Sequence, residues 1–286
     1  MALIIRPARP SDRLKVVAIS RRIWQGHDYL PLFFNRWIRE GNFWVAELGH
    51  VVVGCAKATQ LAPGEWWLEG LRVDPNQQGR GIGREISERV LQLTLTLRPK
   101  TLRLATANVN KASIRIINRM GFRLLSRHWF LVGPARGRAS GVRLRRPKPD
   151  EAFTFIAGSS EYQAAAALMP YTWMFQQITP EYITELCGRG FVRAWPGRGR
   201  LEGIIVVRPH RYFPRDLDIS FVHGTGPALA AFRQHLQALA RRRGSRRISA
   251  MPASRAMFKA LTRLGLKREE GIRHVLVYEY PTRTGR

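Results

Sequence analysis

Cysteine is almost missing from this chain. Cys55 and Cys187 are the only two in 286 residues, they fall in different halves, and neither sits in a C-x-x-C or histidine-containing metal spacing. A disulfide framework and a zinc site are therefore both poor readings, and no metal is expected. Long apolar runs are missing too: hydrophobic residues make up 45% of the chain, yet no uninterrupted stretch approaches the roughly 18 residues of a membrane span. Met1 to Pro7 holds only a brief apolar stretch with no small-residue cleavage pattern, so no secretory signal and no membrane association are expected, and a cytoplasmic address follows by default. Carboxylates are scarce, 20 Asp and Glu against 48 Lys and Arg, for a formal charge of +28. Such a field attracts phosphates, nucleic acid or acidic surfaces. The arginines are spread through the whole chain, so biased base composition or a thermophilic surface accounts for them as well as a nucleic-acid role does.

The length suits two domains of ordinary size. Leu3 to Arg6 reads as a strand, Ser11-Asp12 caps a helix carrying Leu14, Val17, Ala18 and Ile23, and a second helix starts near Pro31 and runs through Phe34, Trp37 and Ile38 toward Gly41. Phe43–Leu48 and Val51–Gln60 flank the hairpin signal Gly49-His50, and Ala62-Pro63-Gly64 turns the chain into a strand from Trp66 to Val73. Ile86, Val90, Leu93 and Leu97 then fall at helical spacing until Pro99. Thr101–Ala105 is a strand, Asn110 caps a helix ended by Gly121, and Phe122–Val132 is a last long strand that closes a first domain over 1–132. Residues 133–150, rich in Gly, Arg and Pro, read as a linker. A second domain over 151–286 repeats the order: strand Phe153–Ile156, helices near Tyr162–Leu168 and Thr179–Leu186, strands Phe191–Trp195, Leu201–Val207 and Asp216–Val222, a helix with Leu229, Phe232, Leu236 and Leu239 on one face, strand Arg247–Ala250, helix Ser254–Leu264 and strand Ile272–Tyr280.

The two halves also resemble each other residue by residue. Asn110 to Arg123 lies over Ser254 to Lys267 with Ala, Arg and Gly coinciding, and Leu68–Val73 aligns with Leu217–Val222 at nearly the same separation. Between those anchors the second copy is about five residues shorter. The missing stretch is the glycine-rich loop of the first.

That loop, Leu71-Arg-Val-Asp-Pro-Asn-Gln-Gln-Gly-Arg-Gly-Ile-Gly83, reads as a strand, a tight turn and a helix start. Gly79, Gly81 and Gly83 allow close approach of a ligand to the backbone, and the first amides of the next helix lack intrahelical acceptors. Together with the helix dipole and the guanidiniums of Arg80 and Arg84 they form an anion site suited to a pyrophosphate. The loop follows the fourth strand of a meander and lacks the G-x-G-x-x-G spacing, which argues against a dinucleotide-binding βαβ unit. No Gly-Lys-Ser/Thr follows, which excludes a Walker A loop.

Gln78-Gly-Arg-Gly-Ile-Gly83 matches the Q/R-x-x-G-x-G/A signature of GNAT N-acetyltransferases, preceded by that family's Val-Asp-Pro. Residues 1–132 resemble the family throughout, including Arg6-Pro7-Ala8 with Ser11-Asp12 and the Asn110–Phe122 block, similar to N-x-x-A-x-x-x-Y-x-x-x-G-F. The resemblance implies an α/β (α+β) fold of two GNAT-like domains, each a mixed, mostly antiparallel sheet flanked by helices. It further implies a co-substrate, acetyl-CoA, with the amides of Gln78, Gly79, Arg80, Gly81, Ile82, Gly83 and Arg84 on its pyrophosphate. The strand Leu71, Arg72, Val73 would lie along its pantetheine arm, and Asn110 and Ser113 on its far side. The implied reaction is direct attack of a primary amine, small-molecule or peptide, on the thioester in one ternary complex. Glu69 is the candidate base and Glu65 the second. The sequence departs from the family where Ile117 stands in place of the usual tyrosine acid. Asn118, Ser113 or water could serve instead.

Trp24, His27, Tyr29, Phe33, Phe34 and Trp37 fall in the region that covers the acceptor site in such folds. Helix packing is the better reading for Phe34 and Trp37, and His27 is a candidate for substrate contact. Tyr171, Trp173 and Phe175 are expected at a domain interface. Val222-His-Gly-Thr-Gly-Pro-Ala228 lacks the length and arginines of the first loop, and Pro227 removes a donor. A structural, dimerising or acceptor-shaping role is the reading for that half, with a homodimer among the outcomes. The alternative of a different class is a GNAT-fold protein of weak catalysis acting as a basic nucleic-acid- or ribosome-associated binding protein.

Overall fold

The computed structural model describes residues 2–26, 28–134, 142–197 and 200–282. In chain order the elements are β1 (Leu3–Pro7), α1 (Arg13–Arg21), α2 (Leu30–Glu40), β2 (Phe43–Leu48), β3 (Val51–Ala62), β4 (Glu65–Val73), α3 (Ile82–Leu95), β5 (Thr101–Ala107), α4 (Lys111–Arg119), β6 (Arg123–His128) and β7 (Leu131–Pro134). There follow α5 (Pro149–Ala157), α6 (Ser160–Ala164), β8 (Leu168–Tyr171), β9 (Met174–Gln177), α7 (Pro180–Gly188), β10 (Val192–Pro196), β11 (Leu201–Pro209), β12 (Leu217–Gly224), α8 (Gly226–Arg243), β13 (Arg247–Ala250), α9 (Arg255–Arg263), β14 (Lys267–Arg268) and β15 (Val275–Tyr280). The fold is mixed α/β with mostly antiparallel sheets, as the sequence implied. One sheet runs β1-β2-β3-β4-β5-β15-β6, a second β10-β11-β12-β13-β7-β14, and β8 and β9 form a hairpin.

Two compact units emerge, and neither is continuous in sequence. The first comprises residues up to Leu104, Lys111–Arg123 and the chain from Tyr278 on; the second comprises Ala105–Asn110 and Leu124–Val277. The expected divisions at 132 and 151 are not the ones found. The single strand expected over Phe122–Val132 is two strands, β6 and β7, which fall in different sheets. The stretch read as a linker is in part structural, because the Arg145 and Ala194 backbones exchange hydrogen bonds of 3.1 and 2.9 Å and Leu144 packs against the core of the second unit. Its segment 135–141 lies outside the described residues.

Two elements of the second unit differ in kind from expectation. Phe153–Ile156 belongs to helix α5, started by Pro149 in its first turn with Asp150 and Glu151 beside it, where a fixed φ and negative charge both favour a helix N-terminus. Its apolar run buries Ala152 and Ile156 against α7 and β11. Near Tyr162 only a short helix, α6, forms, and Leu168 already starts a strand. The second unit has a core on each face of its sheet, one built with α8 and α9 and one with α5 and α7.

In the first unit the sheet is packed tightly enough to aim β4 and α3. A Cβ on Gly54 of β3 would stand 2.6 Å from Ile86 Cδ1 and 2.7 Å from the Arg72 carbonyl, so only glycine lets α3 settle this close. Phe34 and Trp37 of α2 are fully buried, with Trp37 edge-on to Phe43 at 5.2 Å. Both are packing residues.

Candidate functional site

β4 pairs with β3 along most of its length but with β5 only over Glu65–Trp67 against Thr101–Arg103. From Leu68 onward the side of β4 facing away from β3 lacks a strand partner, which leaves a row of backbone donors and acceptors along Leu68–Val73. The β3–β4 register also shifts: Cys55 opposes Arg72 and Lys57 opposes Glu69, so β4 carries one extra residue there. Gly70, at φ +72°, is in that segment, and a Cβ on it would meet Trp37 at 2.7 Å. A bulge of this kind re-aims the strand and interrupts its ladder.

Beyond Val73 the chain turns through a short 3₁₀ segment. The Asp74 carboxylate accepts from the Asn76 amide at 2.9 Å and from Arg22 Nη1 at 3.1 Å, while Arg22 Nη2 donates to Asn76 Oδ1 at 2.7 Å. Arg22, at the end of α1, thus fixes the near side of the turn. Gly79 and Gly81 take φ of +79° and +82°, a region that costs other residues about 1–2 kcal/mol. A Cβ on either would point into open space. Gly81 is the N-cap of α3 and supplies no side-chain cap. Among the described residues, the amides of Gly79, Arg80, Gly81, Ile82 and Gly83 donate to no backbone carbonyl, whereas those of Arg84 and Glu85 both reach Gly81 O. N–H groups without backbone partners at the positive end of a 14-residue helix have the charge and the donors to receive an anion.

The side chains around it are exposed. Arg80 donates to Gln77 Oε1 at 2.7 Å, Arg84 lies 3.8 Å from Glu88 one turn on, and Gln78 Nε2 touches the Val73 carbonyl at 3.4 Å. Both arginines keep their charge at the surface with room to turn toward a ligand. Arg72 is different. It is buried, forked onto Asp28 through Nε and Nη2 at 2.8 Å each, and stacked 4.2 Å from Trp24 and 5.5 Å from Tyr29. Burial opposes both charges, but the pairing outweighs it: Arg72 is held above its ordinary value, and Asp28, which also accepts from Ser20, is held below its own. The Arg72 side chain is thus taken up within the fold.

Residues 15–122 match the model of the acetyltransferase (GNAT) family. Over that stretch the chain is similar to GNAT acetyltransferases. A histidine N-acetyltransferase from Xenopus tropicalis is 32% identical over 121 residues, which are 39% of this chain and 37% of that protein. One from Scomber australasicus is 35% identical over 78 residues, 26% of this chain and 23% of that protein. The chain therefore spans well under half the length of these curated relatives. Over the whole chain the likeness is one of fold: a tandem GNAT protein from the clavulanic acid biosynthesis pathway covers 100% of both chains with a TM-score of 0.59 at 16% identity. A GCN5-related N-acetyltransferase from Sphaerobacter thermophilus covers 99% of this chain and 97% of its own with a TM-score of 0.65, also at 16% identity.

Within the matched stretch, Glu69 is half-buried and its Oε1 accepts from Thr59 Oγ1 at 2.6 Å. It faces, across the ladder, the buried Lys57. Glu65, the second candidate base, is buried and ion-paired to Arg103 at 2.8 Å, and Arg103 also reaches Glu279 at 2.6 Å. Glu65 is thus engaged in an ion-pair network inside the sheet. Cys55 is no nucleophile, since burial pushes its thiol up to about 12. Ile117 is buried at 3% exposure, and Ser113, four residues before it, is half-buried on α4. Ile116 Cδ1 reaches 3.7 Å from where a Gly83 Cβ would stand, so α4 flanks the start of α3. Asn110 closes a turn by donating its N–H to Ala107 at 2.9 Å.

Trp24 is 56% exposed beside the Arg72–Asp28 pair, and Tyr29 and Phe33 meet edge-on at 6.0 Å. His27 lies outside the described residues. Tyr171, Trp173 and Phe175 pack inside the second unit, against Arg208, Phe130 and His128 respectively. Sequence reasoning missed Arg22, Asp28 and Lys57, all distant from the loop in sequence. Only the incongruity of an arginine at a strand position, Arg72, hinted at a buried partner. No helix of the described residues is long and apolar enough to cross a membrane. Among the same residues no group of three or more His, Cys, Asp or Glu could hold a metal ion.

Proposed function

We propose that this protein is an acetyl-CoA-dependent N-acetyltransferase acting on a primary amine. The observation that supports this reading above the others is the pairing of a one-sided strand, Leu68–Val73, with a cradle of free amides at Gly79–Gly83 immediately after it. The cradle suits a diphosphate, and the strand edge suits an extended amide-bearing arm that hydrogen-bonds as an added strand would. Bound there, the co-substrate supplies an acetyl group activated as a thioester.

The chain's own residues do the rest. The amides of Gly79, Arg80, Gly81, Ile82 and Gly83, with Arg80 and Arg84, hold the diphosphate; Leu71 and Val73 offer backbone groups to the arm. Glu69 takes the proton of the incoming ammonium, directly or through water, so that the amine is neutral when it reacts. The bulge at Gly70 leaves strand amides able to polarise the thioester carbonyl. Ile117 has no proton to give, so the thiolate leaves with help from water, Ser113 or Asn118.

The acceptor is a primary amine. The relatives' names put L-histidine, and amino acids more widely, first in the panel to be tried. Release of free thiol from acetyl-CoA, followed across amino acids, small amines and peptides, tests the reading. Turnover with one amine class sustains it, and tight acetyl-CoA binding without turnover on any amine would favour the basic binding protein that the +28 charge also suggests. RNA affinity falling steeply with salt would mark that second reading.

A further inference from the structure

A second cationic site lies in the second unit, away from its β12–α8 junction. A cavity whose empty volume, open mouth included, is about 530 Å3 is lined by Arg189, Arg193, His235, Arg242 and Arg243, with Phe191 and Leu239 among its apolar walls. No lining residue is acidic. The arginines come from three elements: the end of α7, strand β10 and the last turn of α8. Arg146 adds its charge beside them: the Arg193 and Arg146 Nη2 atoms lie 3.7 and 3.8 Å from the place a Cβ on Gly190 would occupy. Arg193 Nη1 donates to the Gly190 and Val192 carbonyls at 2.6 and 2.8 Å. Among the described residues neither Arg193 nor Arg242 has a carboxylate in ion-pair range.

Arginines at the ends of α7 and α8 are partly accounted for by the carbonyl ends of those helices, which favour cations. That does not account for Arg193, which stands on a strand. Burial, and then the charges of Arg146 and Arg242, hold its guanidinium below its ordinary value. Burial with Arg193 and Arg242 likewise pushes His235 down to about 4. Arg189 has Glu185 as its partner at 3.0 Å, but Arg193 and Arg242, held near each other against their own repulsion, lack a counter-charge. A monocarboxylate would neutralise too little of their charge, while a phosphate offers two charges and several acceptors to planar guanidiniums.

We infer that this cavity binds a small phosphate-bearing anion, its phosphate on Arg193 and Arg242 and any apolar body against Phe191 and Leu239. The site is independent of the proposed acetyl-CoA cradle. Calorimetric titration of the full chain with inorganic pyrophosphate tests it. A variant with the first cradle blocked, Gly81→Asp with Arg80→Glu, removes that competing site. In it, saturable pyrophosphate binding is expected to persist, and to weaken by about tenfold or more for each of Arg193→Gln and Arg242→Gln. Arg242 is exposed on a helix, so Arg242→Gln alone serves if Arg193→Gln unfolds the chain. Absence of binding in the cradle-blocked chain, or equal affinity with Arg242→Gln, overturns the inference. So does an Arg242-dependent RNA complex that pyrophosphate fails to displace.

Discussion

The two strand-to-helix junctions that the internal repeat aligns have opposite characters. After β4 the chain takes an eight-residue detour, from Asp74 to Gly81, and starts α3 on a left-handed glycine with no side-chain cap. Gly79 and Gly81 face open space. After β12 the chain enters α8 almost at once. Thr225 is the N-cap, its hydroxyl accepting from the Ala228 amide at 3.5 Å, and its own N–H bonds the Glu202 carbonyl at 3.0 Å. Gly224 has no room beside it, since a Cβ would stand 2.9 Å from both Ala228 Cβ and Gly203 Cα. Among the described residues one junction leaves its amides without a backbone acceptor, and the other fills its space by packing the helix against the sheet. The difference extends to the strands. Glu69 is half-buried with Thr59 as its partner, while its aligned counterpart Asp218 is buried among the Ser220 and Ser249 hydroxyls. Burial pushes Asp218 up toward its neutral form. Asp218 is wholly inside the core, where Glu69 is half-buried on a strand with one side unpaired.

The largest expected effect comes from closing the open junction. Gly81→Asp with Arg80→Glu puts carboxylates where the diphosphate would sit, and coenzyme A affinity is expected to fall by about a thousandfold or more, given the worth of charge-assisted hydrogen bonds lost and the repulsion added. Fluorescence or calorimetric titration reads the affinity, and circular dichroism checks the fold. Unchanged affinity would place the coenzyme elsewhere and dissolve the contrast. Next in size is Glu69→Gln, for which kcat on the identified amine is expected to drop by about a hundredfold or more with coenzyme affinity kept. A rate like that of the parent would make Glu69 as structural as Asp218.

The open junction was legible in the sequence because its requirements are local. Positive φ calls for glycine, a free helix start follows a strand, and both fall within Gln78–Gly83. What escaped notice depends on partners far apart. Arg72 reaches Asp28 across 44 positions and Arg103 reaches Glu65 across 38, and no periodicity marks such pairs. Glu65 reads from sequence as the second candidate base, and nothing near it in the chain announces its ion pair with Arg103. Phe153-Thr-Phe-Ile156 read as a strand on β propensity, though Pro149-Asp150-Glu151 just ahead carried the helix signal. The exit of β7 into the second sheet had no signature beyond Trp129-Phe130, which the reading ran through as one continuous strand.

A third experiment separates the backbone role of β4 from its side chains. Arg72→Ala leaves Asp28 buried and unpaired, and a loss of about 3–5 kcal/mol in urea unfolding is expected. The pH dependence has a definite sign. Asp28 is held below its ordinary 3.8 in the folded chain, so its contribution is present above the unfolded value and lost as pH falls through the folded one. The parent is expected to lose stability on acidification below about pH 4, and Arg72→Ala to lack that limb. If Arg72→Ala bound coenzyme A less tightly at a temperature where it remains folded, its side chain would belong to the site after all.

The smallest effect tests the closed junction. Thr225→Ala removes the one side-chain acceptor that satisfies the start of α8, and a cap of this kind contributes about 1 kcal/mol. The bond is long at 3.5 Å, so the loss is expected at or below that figure, read as a small shift of the urea midpoint with an unchanged slope. Coenzyme A affinity is expected to stay the same, because the amide freed at Ala228 has β-strand packing around it and lies behind Gly226 and Pro227, one of which carries no N–H at all. Were Thr225→Ala instead to create a second coenzyme-binding event, the short junction would be a capped ligand site. The contrast between the two halves would then rest on one hydroxyl group and owe little to the five missing residues.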